Sequence, residues 1–171
     1  LANSERSKFT SFTIKPLTAN EAIFLPEMLY LAVYVPEGIP PPPKEIVFEP
    51  GLVKYIQGWG REGDLGFIAV EDGSGLPLGA AWLRLLLGEN KGYGYLDDAT
   101  PELTIAVKEG YRGQGLGSQL LQKLLEESPK LYSSISLSVS IGNSAANLYR
   151  RFGFTPVGQD HNAITMRKKL I

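Results

Sequence analysis

Residues Tyr111-Arg112-Gly113-Gln114-Gly115-Leu116-Gly117-Ser118 constrain the fold of this chain more than any other stretch. An alternating apolar run, Leu103-Thr104-Ile105-Ala106-Val107, precedes them. A leucine-striped segment (Leu116, Leu120, Leu121, Leu124, Leu125) follows. The change of period from two to 3.6 predicts strand, glycine loop, helix. Such a loop turns backbone N–H groups toward one point at the positive end of a helix dipole, which suits a phosphate. Gly113, Gly115 and Gly117 let the backbone approach a ligand, and Arg112 adds a fixed positive charge.

Two common phosphate-binding patterns fail on particular residues. A P-loop needs Gly-Lys-Ser/Thr after its glycines, and the chain has no such triplet. A dinucleotide fingerprint counted from Gly113 and Gly115 needs glycine where Ser118 stands. It also needs an acidic residue ending the next strand, and Ile135 to Ile141 carries only serines on its polar side. A nicotinamide-dependent oxidoreductase is therefore disfavoured. What remains is Arg-Gly-x-Gly-x-Gly directly after a strand.

The rest of the chain reads as one mixed domain over 11–171, with a polar N-terminus (1–10) expected to be disordered. The chain does not begin with Met, which fits a trimmed or partial start. Phe12 to Lys15 is a short strand. Thr18 and Glu21 form a capping box for a helix carrying Ala22, Ile23, Leu25, Met28, Leu29, Leu31 and Ala32. Pro40 to Pro43 is read as a stiff surface connector, and a second helix is expected over Leu52 to Trp59. Leu65 to Glu71 and Leu78 to Leu87 flank the turn Asp72-Gly73-Ser74-Gly75 as a hairpin. Glu102 to Lys108 is the strand before the glycine loop, and Pro129 ends the helix after it. Ile135 to Ile141 alternates with serines as a strand, Ala145 to Phe152 is a helix, and Phe154–Val157 and Ala163–Arg167 are the last strands.

Bulk properties exclude several functions. A net charge of −1 gives no electrostatic case for nucleic acid or an anionic membrane as partner. The longest apolar run, Ala80 to Leu87, is far too short to span a bilayer. Absence of cysteine removes a disulfide framework, a thiolate zinc site and a cysteine nucleophile, and it fits a cytoplasmic setting. No metal site is expected. His161, the only histidine, sits in an apparent turn and reads as exposed.

A second cluster runs Asn143-Ser144-Ala145-Ala146-Asn147-Leu148-Tyr149-Arg150-Arg151-Phe152-Gly153-Phe154. Asn143 suits an N-cap, and Asn143 and Asn147 share a helix face. A Tyr at position 149 is, on its own, most often half-buried packing. Taken together, the two clusters resemble the GNAT superfamily of acetyl-CoA-dependent N-acetyltransferases. Arg112 to Gly117 matches that family's Arg/Gln-x-x-Gly-x-Gly/Ala motif. Asn143, Ala146, Leu148, Tyr149, Gly153 and Phe154 match its Asn-x-x-Ala-x-Leu/Phe-Tyr-x-x-x-Gly-Phe motif. The order of elements matches over nearly the whole chain.

The resemblance implies an α/β fold of mixed α+β type, with a central, mostly antiparallel sheet splayed in the middle and flanked by helices. It implies acetyl-CoA as cofactor. Backbone groups of Ile105, Ala106 and Val107 would bind the pantetheine arm, with the Val107 N–H on the thioester carbonyl. Arg112, Gly113, Gln114, Gly115, Leu116, Gly117 and Ser118 would hold the pyrophosphate, and Asn143 and Asn147 would contact the cofactor. Tyr149 would be the general acid beside the sulfur, and Glu102 the general base. Trp82, Tyr95, Asp97 and Asp98 are candidate substrate contacts. The acceptor would be a primary amine of a small molecule or peptide, handled by a monomer or homodimer. The alternative is a catalytically silent acyl-CoA-binding module on the same fold.

Overall fold

The computed structural model describes residues 11–170; the expectation for the N-terminal ten residues lies outside them. Seven strands form one sheet in the order β1-β2-β3-β4-β5-β7-β6. They are β1 (Phe12–Pro16), β2 (Leu65–Glu71), β3 (Pro77–Arg84), β4 (Glu102–Val107), β5 (Ser134–Ser140), β6 (Thr155–Gln159) and β7 (Ala163–Lys169). The helices are α1 (Leu25–Ala32), α2 (Pro50–Val53), α3 (Leu116–Glu127) and α4 (Ala145–Arg151). The mixed α/β class implied by the resemblance is the one found.

Period-two alternation divides the sheet's side chains between two cores. On one face Phe67, Ala69, Ala81, Leu83 and Leu103 meet the leucine stripe of α3 and the inner side of α4. On the other, Ile68, Ala80 and Trp82 meet Met28 and Leu29 of α1 and the segment carrying Tyr55, Ile56 and Trp59. Arg84 extends this second row and is 1% exposed. Its guanidinium forks onto Asp64, with Nε at 3.0 Å from Oδ1 and Nη2 at 2.7 Å from Oδ2. Nη1 donates to the carbonyls of Lys54 and Gln57. A buried cation is tolerable only with such complete pairing.

Some boundaries differ from the sequence reading for local reasons. The Thr18–Glu21 capping box is present, but it opens a 3-10 turn at Ala19–Phe24. The α-helix begins afterwards, placing Pro26 in its first turn, where a missing N–H costs nothing. The helix expected over 52–59 is shorter: α2 has a single turn after Pro50, and the chain then runs in turns to residue 60. There Trp59 donates to the Leu17 carbonyl at 2.8 Å and Arg84 collects the Lys54 and Gln57 carbonyls. Tertiary hydrogen bonds replace helical ones.

Candidate active site

β4 pairs along its whole length with β3, and β5 along its whole length with β7. Between β4 and β5, the one parallel pair, the register has a single bridge, Glu102↔Ser136. Beyond it the strands diverge. The Lys108 N–H bonds the Leu78 carbonyl, so even-numbered residues of β4 turn their backbone groups to β3. Ile105 and Val107 therefore turn theirs into the opening. Ala106 does the reverse, so its amide faces β3 and is not available to a pantetheine arm. The Val107 carbonyl accepts from Arg112 Nε at 3.0 Å, which leaves the Val107 N–H directed into the gap.

The glycine loop follows at the end of β4. Gly113 (φ +77°) and Gly115 (φ +79°) adopt left-handed conformations, and a Cβ built on either meets nothing within 4 Å. These glycines answer to backbone shape and leave an open surface. Gly115 caps α3. Among the described residues, no amide from 112 to 118 donates to a protein backbone carbonyl outside regular structure; the first helical amide to find one is Gln119, bonded to Gly115 O. A loop of undonated N–H groups at a helix N-terminus is a nest for an anion. The Leu116 side chain is buried in the core, leaving only its amide for a ligand.

A cavity of about 560 Å³ opens beside the splay. Its donor-side wall includes Ile105, Ser138, Ser140, Asn143 and Tyr149. Tyr149 is 8% exposed, stacks edge-on with Phe154 at 6.0 Å, and burial pushes its hydroxyl up to about 12. Asn143, expected as the N-cap, stands one residue before it. Its Oδ1 accepts from the Ala145 N–H at 3.0 Å, and Ser144 occupies the N-cap position. Asn147, four residues on, is exposed and does not line the cavity.

Glu102 stands where β4 and β5 last touch. It is 3% exposed, so it is no solvated strand-end acid. Oε1 accepts from the Gly94 N–H at 2.7 Å and from the Tyr55 hydroxyl at 3.1 Å. The Tyr93 N–H in turn donates to that hydroxyl at 2.9 Å. Oε2 is the one buried side-chain oxygen without a hydrogen-bond partner among the described residues. Burial raises the Glu102 carboxyl above its ordinary range, against the Gly94 and Tyr55 bonds, which favour the ionised form. Burial raises the Tyr55 hydroxyl as well, with the Glu102 charge adding to it. The loop rests directly on this carboxylate. A Cβ on Gly92 would stand 2.0 Å from Oε2, and one on Gly94 would stand 2.7 Å from the Leu137 carbonyl carbon.

The four substrate candidates lie elsewhere. Trp82 is fully buried and donates its indole N–H to the Tyr55 carbonyl at 3.0 Å; it supports the site from the core and does not floor it. Tyr95 donates to Asp98 at 2.5 Å, and Asp97 accepts from the Ala99 amide and Thr100 hydroxyl. These three residues fold their own loop and are absent from the cavity wall. Tyr93, two residues before Tyr95, does line it, as do Tyr34 and Tyr55. Tyr55 escaped the sequence reading because an expected helix hid it; the only signal was the Gly92-Tyr93-Gly94 spacing, which marks a close approach. His161 is exposed in the Asp160–Ala163 turn, as read.

A family model described as "Acetyltransferase (GNAT) domain" matches residues 62–156, a span that holds the splayed strands, the glycine loop and α4. The chain belongs to the GNAT acetyltransferase family. The fold agrees with those of solved proteins, N-acetyltransferases among them. The ribosomal-protein-S18-alanine N-acetyltransferase of Escherichia coli is 20% identical, with a TM-score of 0.63 and 94% of each chain covered. The yncA protein of Salmonella typhimurium, solved with its cofactor acetyl-CoA, is 19% identical, with a TM-score of 0.62 and 95% of each chain covered. The PaiA N-acetyltransferase of Thermoplasma acidophilum, in complex with coenzyme A, is 19% identical, with a TM-score of 0.65; 94% of this GNAT chain and 99% of that one are covered. Comparison with curated protein sequences found no match. Acetyl-CoA is the cosubstrate that this membership brings, and the nest at 112–118 followed by the β4 opening has the chemistry to receive it. No helix among the described residues is long and apolar enough to cross a membrane.

Proposed function

We propose that this protein is an N-acetyltransferase that moves the acetyl group of acetyl-CoA directly to a primary amine. The observation that carries this reading is that Glu102, at the β4–β5 bridge, and Tyr149, on α4, line one cavity. Acetyl-CoA, when bound, supplies an acetyl group activated as a thioester. The loop amides of Arg112 to Ser118 bind its pyrophosphate. The N–H groups of Ile105 and Val107 would orient its arm, and that of Val107 would supply a donor to the carbonyl oxygen that gains charge.

Glu102 takes a proton from the incoming ammonium, directly or through one water, and passes it to solvent; it then takes the second proton from the nitrogen that attacks. As the amine nitrogen bonds to the carbonyl carbon and the carbon–sulfur bond breaks, the Tyr149 hydroxyl gives its proton to the sulfur. Solvent returns that proton to Tyr149 and removes the one on Glu102. Tyr55 and the Gly94 amide are positioning groups: they hold Oε1 and leave Oε2 for the proton. Burial suits both roles, since a carboxylate held above its usual range is a better base and a buried tyrosine stays protonated.

Tyr149→Phe tests the reading. It should lower kcat by ~10²-fold or more while the dissociation constant for acetyl-CoA, measured by calorimetry, stays within about twofold. Unchanged turnover removes Tyr149 from the acid role. Tight acetyl-CoA binding with no CoA release across a broad amine panel favours the silent binding module.

A further inference from the structure

The proposed reaction leaves the acceptor open, and the wall of the cavity opposite Tyr149 constrains it. That wall comes from the first third of the chain. Leu29, Val33 and Tyr34 come from α1 and its exit, Ile46 from the turn after the proline run, and Leu52 from α2. The proline segment is pinned there by the Tyr30 hydroxyl, which donates to the Pro42 carbonyl at 2.6 Å. The stiff connector thus sets the position of Ile46.

Charge in the wall is of one sign. Among the described residues, Glu102 and Asp160 are the lining residues that carry charge, and no lysine, arginine or histidine lines the cavity. Asp160 stands at the rim, its Oδ1 accepting from the Asn162 and Ala163 amides at 2.7 and 2.8 Å. Lys54, a cation whose charge reaches Glu102, is not among the lining residues; its ammonium is held by the Lys91 carbonyl at 2.8 Å and lies over the Tyr93 ring. An ammonium entering this cavity meets the buried carboxylate of Glu102, one oxygen of which has no hydrogen-bond partner among the described residues. A carboxylate or phosphate beside it would lose water and gain no cation. A second ammonium on the side of Leu29, Val33, Ile46 and Leu52 would lie against aliphatic side chains.

We infer that the amine taken by this cavity is a primary amine on an uncharged apolar or aromatic body, with its nitrogen at Glu102 and its body against Leu29, Val33, Ile46 and Leu52. This rests on the transferase reading of the same site. Amino acids and phosphorylated amines are selected against by the missing cation, and short diamines by the apolar side chains of Leu29, Val33, Ile46 and Leu52, against which the second ammonium would fall.

Three probes separate the outcomes: phenethylamine, phenylalanine (the same amine with a carboxylate) and putrescine (a second ammonium without an aromatic body). Equilibrium binding is measured by calorimetry on the full chain saturated with CoA, and CoA release is measured with acetyl-CoA. Phenethylamine should bind about 10- to 100-fold more tightly than either competitor, the equivalent of one unpaired charged or polar group left in the cavity. Ile46→Arg, with its fold checked by thermal denaturation, should narrow the gap to phenylalanine by ~10-fold or more by supplying the absent cation. Equal or tighter binding of phenylalanine or putrescine overturns the inference, as does failure of all three to bind. The expected binding order without CoA release leaves this inference standing and sinks the transferase reading. Equal CoA release from all three does the opposite.

Discussion

Glu102 is held by groups that oppose one another. Burial raises its carboxyl, while the Gly94 amide and Tyr55 hydroxyl pull it back by bonding the ionised form. A base works when ionised, so kcat/KM should rise with pH through a value above the ordinary glutamate range. Tyr55→Phe removes a donor to the carboxylate and should shift that rise to higher pH, with a stability loss of ~1–2 kcal/mol as the Tyr93 amide loses its acceptor. A pH–rate profile beside a thermal melt checks both. A profile that does not move would make Tyr55 a structural staple only. No alkaline decline should come from Tyr149, whose hydroxyl, at about 12, stays protonated across the working range.

At the scale of elements, the glycine loop is where a small change should be felt most cleanly. Gly113 needs its positive φ, and a side chain there meets open space. Gly113→Ala should therefore leave the core intact and strain the loop by ~1–2 kcal/mol. Acetyl-CoA binding, measured by calorimetry, should weaken by about tenfold or more for that strain. Undiminished binding would take the loop out of the cradle. The strand–loop–helix unit was legible in the sequence because its period, its glycines and its following leucines are all local signals. The second helical segment was not. Leu52 to Trp59 has helical spacing, yet its carbonyls serve Arg84 and the Trp82 indole, partners 25 or more residues away in sequence. Glu102 was legible as a candidate base from its place at the start of the strand before the glycine loop, by the family resemblance, while its seat came from Tyr55 and Gly94, which only the folded chain brings together. The acidic loop misled for the converse reason: Asp97 and Asp98 are satisfied within their own turn.

For the whole molecule, the Arg84–Asp64 pair ties the end of β3 to the loop before β2 and to the segment after α2. Both side chains are almost fully buried, at 1% and 3% exposure. Asp64→Ala leaves a buried guanidinium without its counter-ion and should cost ~3–5 kcal/mol, read as a lowered Tm and denaturation midpoint. A loss under ~1 kcal/mol, the range of a surface pair, would show that water reaches the guanidinium. The single bridge Glu102↔Ser136 has a different kind of consequence. It makes the sheet two rafts moored at one point, β1 to β4 on one side and β5 to β7 on the other, with β3, β4 and β7 ladders stiff within each raft. The seam between them is the line of least resistance in the molecule. A guest lying along it and taking up the Ile105 and Val107 amides would act as a missing strand, and the loaded protein should respond to load as one plate where the empty one is two. Hydrogen exchange at those two amides should be fast in the empty protein and slowed by CoA, with little change on the β3 side of β4.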